Sequence, residues 1–78
     1  MDFNQIRYFL TLSKTLNFTR AAEQCFVSQP ALTQAIRRLE DELGGELVCR
    51  NGREITVTTL GKSLHGHFEQ IDRSRQLV

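Results

Sequence analysis

Phe3, Ile6, Phe9 and Leu10 recur at three- and four-residue spacing. That period predicts an amphipathic first helix from about Asn4 to Ser13. Thr15 to Phe18 read as a connection, with Phe18 expected to tuck under the next helix. Thr19 precedes Arg20-Ala21-Ala22-Glu23 and is expected to cap a short second helix through its hydroxyl. Ala21 and Ala22 are small enough to let another helix approach. Phe26 and Val27 are expected to form an apolar turn that plugs the gap before the third helix. Ser28 suits the cap of that helix, and Pro30 falls in its first turn, where a missing N–H costs little. Leu32, Ile36, Leu39 and Leu43 lie at i, i+4, i+7 and i+11, one stripe facing the core. Gly44-Gly45 supplies the left-handed stop.

Beyond Gly45 the period changes. Leu47–Arg50 and Glu54–Thr58 are β-prone, and Asn51-Gly52 between them is a strong hairpin signal. Thr58 or Thr59 is expected to cap a fourth helix. Leu64, Ile71 and Val78 recur on it every seven residues, with Leu60 and Phe68 beside them. This predicts an exposed apolar seam. The fold class is therefore mainly α: a winged helix-turn-helix of three helices plus a β-hairpin wing over residues 1–58. A linker and dimerisation helix follows over 59–78. The turn between helices two and three is short, as helix-turn-helix geometry requires.

The totals change this picture only at the level of charge. At 78 residues the chain forms one small domain, which buries only about 60% of its unfolded surface. No apolar run reaches the ~20 residues of a membrane helix. The start lacks a basic n-region and cleavage site, so the expected compartment is the cytoplasm. Net charge is +1, which alone argues against nucleic acid, but the distribution does not. Arg7, Lys14, Arg20, Arg37 and Arg38 outweigh Asp2 and Glu23 before residue 40. The acids Glu40, Asp41, Glu42 and Glu46 follow, and then Arg50, Arg53 and Lys62 against Glu54. A local basic face matters more for phosphate binding than the total.

Turned at 100° per residue, helix three sets its leucine stripe against a polar face near its N-terminus. Gln29 and Gln34 carry amides suited to adenine N6 and N7. Thr33 offers a hydroxyl and a methyl. Pro30 and Ala31 are compact enough to let the backbone approach a base. These five are the candidate base contacts. Thr19, Arg20, Ser28, Arg37, Arg38, Arg50 and Arg53 are the candidate backbone and wing contacts, since narrow grooves favour inserted arginine. The acids from Glu40 onward are read as a solvated outer surface. Cys25 and Cys49 lack partners at ligand spacing and read as reduced thiols, with a redox switch or a metal pair the alternative. His65 and His67 project to different sides of a helix, so no metal site is expected. No catalytic set or cofactor motif is visible. The competing function is a protein-interaction module whose working surface is the seam on helix four.

Asn17-Phe18-Thr19-Arg20-Ala21-Ala22-Glu23, Val27-Ser28-Gln29-Pro30-Ala31-Leu32-Thr33, Ile36-Arg37-Arg38-Leu39-Glu40 and Leu43-Gly44 closely resemble the LysR-type transcriptional regulators. Leu47, Arg50, Arg53, Thr58 and Gly61 continue the match through the wing. The resemblance implies a bacterial regulator that binds double-stranded DNA at interrupted inverted repeats. It implies a homodimer through the fourth helix, with Leu60, Leu64, Phe68, Ile71 and Val78 at the contact, and tetramers in the full-length protein. It also implies a small-molecule effector domain beyond this chain. Gln29, Pro30, Ala31, Thr33 and Gln34 are implied in the major groove and Arg53 in the wing. Gln34 stands where the family often has arginine, which implies a shift in base preference toward adenine. Gly45, Val48 and Cys49 also depart from the family pattern, before and at the start of the wing.

Overall fold

The computed structural model describes residues 1–76; the seam position Val78 lies outside the described residues. Helix α1 spans Phe3–Thr15, starting one residue before the expected Asn4 and ending two after Ser13. Asp2 and Gln5 explain the earlier start. The Gln5 N–H donates to Asp2 Oδ1 at 2.8 Å, and the Asp2 N–H donates to Gln5 Oε1 at 3.2 Å. This reciprocal capping box satisfies two backbone donors of the first turn.

Helix α2 spans Phe18–Gln24. Its cap is Asn17, which accepts the Arg20 N–H at 2.9 Å, and not Thr19 as expected. Asparagine caps at least as well as threonine, and the earlier start carries Phe18 inside the helix, where its ring is buried. Thr19 is left exposed in the first turn.

The turn after α2 also corrects the sequence reading. Phe26 plugs nothing: it is 95% exposed. Its backbone is left-handed, with φ 59°. The Phe26 N–H donates to the Glu23 carbonyl at 3.2 Å and the Val27 N–H to the Ala22 carbonyl at 3.0 Å. Those two bonds define a Schellman stop, with Phe26 in the position glycine usually takes. The left-handed residue reverses the chain and throws its ring outward. Cys25 and Val27, on either side, take the inner positions, with Cys25 buried and Val27 half-buried.

Helix α3 spans Gln29–Leu43 with Ser28 as cap, its Oγ accepting the Ala31 N–H at 3.2 Å. Leu32, Ile36 and Leu39 are fully buried and Leu43 half-buried, as the stripe requires. Gly44 closes the helix at φ 76°.

Leu47, expected in a strand, instead precedes it as a fully buried plug. Strands β1 (Val48–Asn51) and β2 (Glu54–Val57) pair antiparallel, with Val48 opposite Val57 and Asn51 opposite Glu54. The turn therefore centres on Gly52-Arg53, one residue beyond Asn51-Gly52. Positive φ at the first central residue alone, Gly52 at 64°, marks a type II′ geometry.

Helix α4 spans Thr59–Gln76. Thr58 Oγ1 accepts the Gly61 N–H at 3.1 Å and donates to the Glu46 carbonyl at 2.5 Å. Gly61 is needed for close approach: a Cβ there would press on the Leu47 carbonyl and lie 2.7 Å from Val57 Cγ1. Phe68 is 1% exposed and stands edge-on to Phe9, with ring centroids 5.7 Å apart. It belongs to this chain's own core and not to an exposed seam. Leu60, Leu64 and Ile71 are half-buried against the same core, so these apolar positions of α4 serve the chain's own core first.

Candidate nucleic-acid interface

The outward face of α3 carries Gln29, Pro30, Ala31, Gln34, Arg37 and Arg38, all exposed, with Thr33 half-buried beside them. The Ser28 cap and Pro30 fix where this face begins. No acid occurs on α3 before Glu40, so its exposed face up to Arg38 presents amides, a hydroxyl, small apolar groups and guanidinium groups, and no negative charge. The helix N-terminus adds its own partial positive charge.

Two clefts border this face. In the first, the α2 cap Asn17 and Thr19 of α2 meet Gln29 of α3 and Arg50, Gly52 and Arg53 of the wing. The second runs between α3 and β1, where Thr33 and Arg37 face Cys49 and Arg50. The structure thus brings Thr19, Gln29, Thr33, Arg37, Arg50 and Arg53 to one side of the molecule. Arg20 and Arg38 are exposed but line neither cleft. Arg50 does not hang free at the tip. Its guanidinium lies over the Phe18 ring, 4.0 Å from the centroid, a stacked cation–π arrangement.

Three features escaped sequence reasoning. Asn17 caps α2, and Phe18 forms the platform under Arg50. Glu40, taken for part of a solvated acidic surface, turns inward. Its Oε2 accepts the Leu47 N–H at 2.7 Å and lies 3.4 Å from the Val48 N–H. The signal existed in the sequence: Glu40 follows Ile36 by four residues, which places it on the flank of the buried stripe. Asp41 and Glu46 are exposed as expected, and Glu42 is exposed and pairs with the Met1 amine.

The remaining candidates do not join the site. Cys25 is buried and Cys49 exposed, and both thiols are free. His65 is half-buried between helices, 3.0 Å from Ser13 Oγ and 3.3 Å from Glu69 Oε1, while His67 is exposed. The two imidazoles therefore lie on different sides of α4.

Comparisons with known proteins agree with this geometry. The family model described as the bacterial regulatory helix-turn-helix protein of the lysR family matches residues 3–62. The chain is 44% identical over 70 residues to a probable cat1 operon transcriptional activator of Acinetobacter lwoffii, covering 90% of this chain and 22% of that protein. It is 47% identical over 62 residues to the transcriptional regulator CatR of Pseudomonas putida, covering 80% and 21% respectively. It thus spans about a fifth of the length of these curated relatives. Among solved structures, Vibrio fischeri DarR in complex with DNA superposes with a TM-score of 0.93 at 35% identity, covering 99% of this chain and 26% of that one. The CbnR DBD–DNA complex superposes with a TM-score of 0.86 at 33% identity, covering 99% and 98%. The chain belongs to the lysR family of bacterial regulatory helix-turn-helix proteins.

Proposed function

We propose that the chain binds double-stranded DNA sequence-specifically, as the winged helix-turn-helix part of a bacterial transcriptional regulator. The observation that carries this reading is the acid-free polar face of α3, with Gln29 and Gln34 exposed on it and the wing arginines beside it. The DNA complexes of DarR and CbnR support it. Helix α3 lies in the major groove, where Gln29 and Gln34 read adenine and Thr33, Pro30 and Ala31 contact thymine methyls. Arg37 and Arg53 contact phosphate or the adjacent minor groove, and Thr19, Arg20, Ser28, Arg38 and Arg50 complete the backbone set.

The regulator acts as a homodimer through the outer side of α4, on an interrupted inverted repeat that mirrors its two-fold axis. Phe3, 51% exposed, and Ile71 give that side its apolar surface. Tetramer assembly and effector sensing belong to a domain beyond this chain, and the cytoplasm is its compartment.

The test is Gln29→Ala, titrated against a duplex selected by the wild-type protein and against random duplex. Specific binding should weaken by about 1–3 kcal/mol while non-specific binding is spared. An equal loss on both duplexes would remove Gln29 from base readout. No binding of the wild-type protein to any duplex at low salt would sink the DNA reading itself.

A further inference from the structure

A two-stranded hairpin is marginal by itself in water, and this wing has little apolar surface to anchor it. In β1 only Val48 is even half-buried, and in β2 only Ile55 and Val57. These three side chains pack against the core and, with the buried Leu47, anchor the base of the wing, and polar contacts add to that anchoring. Two polar contacts reach it from the helix-turn-helix. At the root, Glu40 of α3 holds the Leu47 and Val48 N–H groups on one carboxylate oxygen. Midway along, Arg50 of β1 rests on Phe18 at the start of α2.

We infer that Glu40 is a positioning residue for DNA binding: it ties the root of the wing to the recognition helix and so sets where Arg53 meets the phosphate backbone. This rests on the wing contact proposed above. The leverage is large. Strands of four residues project about 13 Å at ~3.3 Å per residue. A swing of about 10° at the root would then displace the tip by about 2 Å, enough to open a charge-assisted hydrogen bond of ~2.8 Å. Glu40 itself carries the wrong sign to touch phosphate, so its contribution is geometric.

The experiment measures binding of the protein to random-sequence duplex across a salt series for wild type, Glu40→Ala, Glu40→Gln, Arg53→Ala and the Glu40→Ala/Arg53→Ala pair. Losing one phosphate contact per protomer lowers the slope of log K against log salt by ~0.9 for each protomer bound. Arg53→Ala and Glu40→Ala should each show that loss, and the pair should show no more than either alone. Glu40→Gln keeps an acceptor oxygen without the charge and should restore the wild-type slope. Amide hydrogen exchange supplies the second readout: Glu40→Ala should raise exchange across Val48–Val57 while α1 and α3 stay protected.

A wild-type slope for Glu40→Ala, additive losses in the pair, or failure of Glu40→Gln to rescue would each overturn the assignment. So would loss of protection throughout the molecule, which would make Glu40 a general stabiliser. A wild-type slope for Arg53→Ala would instead overturn the wing contact, and the exchange data would still report separately whether Glu40 holds the hairpin.

Discussion

Phe26 occupies a left-handed backbone position for which a bulky side chain is poorly suited, at a cost of about 1–2 kcal/mol relative to glycine. Its ring recovers nothing from burial. Phe26→Gly, and to a lesser degree Phe26→Asn, should therefore stabilise the domain by about 1 kcal/mol. In a domain of this size that raises Tm by about 4–8 °C. Thermal unfolding followed by circular dichroism checks it; an unchanged or lower Tm would mean that the ring is held by contacts the fold does not show. Leu16, at φ 52°, ends α1 in the same conformation and should respond in the same direction. Both positions terminate a helix, so their strain belongs to how the helices stop and not to the recognition face.

At the scale of elements, α1 and α4 meet through Phe9 and Phe68. Phe68→Ala should cost about 3–5 kcal/mol, as truncation of a buried phenylalanine does, and should do so at concentrations where the protein is monomeric. A variant that unfolds normally but dimerises poorly would restore Phe68 to the outer seam. Gly61→Ala should also destabilise, by about 1–3 kcal/mol, because its added methyl meets the Leu47 carbonyl, which is backbone and not a movable side chain. Denaturant titration measures both.

The same elements show what the sequence could disclose. Helix α3 was legible from end to end, because stripe, serine cap and glycine stop all agree there. The hairpin was legible too, though its turn slipped by one residue: Asn51 is drawn into the ladder opposite Glu54. Asn17-Phe18-Thr19 offers two caps, and only the burial of Phe18 chooses between them. The seam misled because an apolar stripe on α4 does not state whether its own chain or another covers it. At the interface, the residue types suited to DNA were visible from spacing. The contact between Arg50 and Phe18 was not, since it joins positions far apart in the chain.

For the whole molecule, a net charge of +1 gives little long-range attraction to DNA, so binding depends on how the local basic and amide groups are presented together. In the proposed dimer, two copies would hold two recognition helices at a spacing set by the DNA repeat. The proposed contact uses Phe3 and Ile71, with Arg75 lying 5.6 Å from the Phe3 ring centroid. Phe3→Ser should weaken self-association at least about tenfold, since a two-fold interface counts each lost apolar side chain twice. Sedimentation equilibrium reads this, and the helical signal should be retained. A dimer constant unmoved by Phe3→Ser would place the contact elsewhere.

The two free cysteines give the molecule a pair of internal clocks. Cys49 stands exposed on the wing and Cys25 is closed inside the core. A thiol-reactive dye should label Cys49 first, and bound DNA should shield it if the wing lies against the duplex. Cys25 should react only when the core opens, more slowly by a factor set by the free energy of that opening. For a stability of about 5 kcal/mol that factor is several thousand. One unmodified chain thus reports wing occupancy on the fast clock and global unfolding on the slow one.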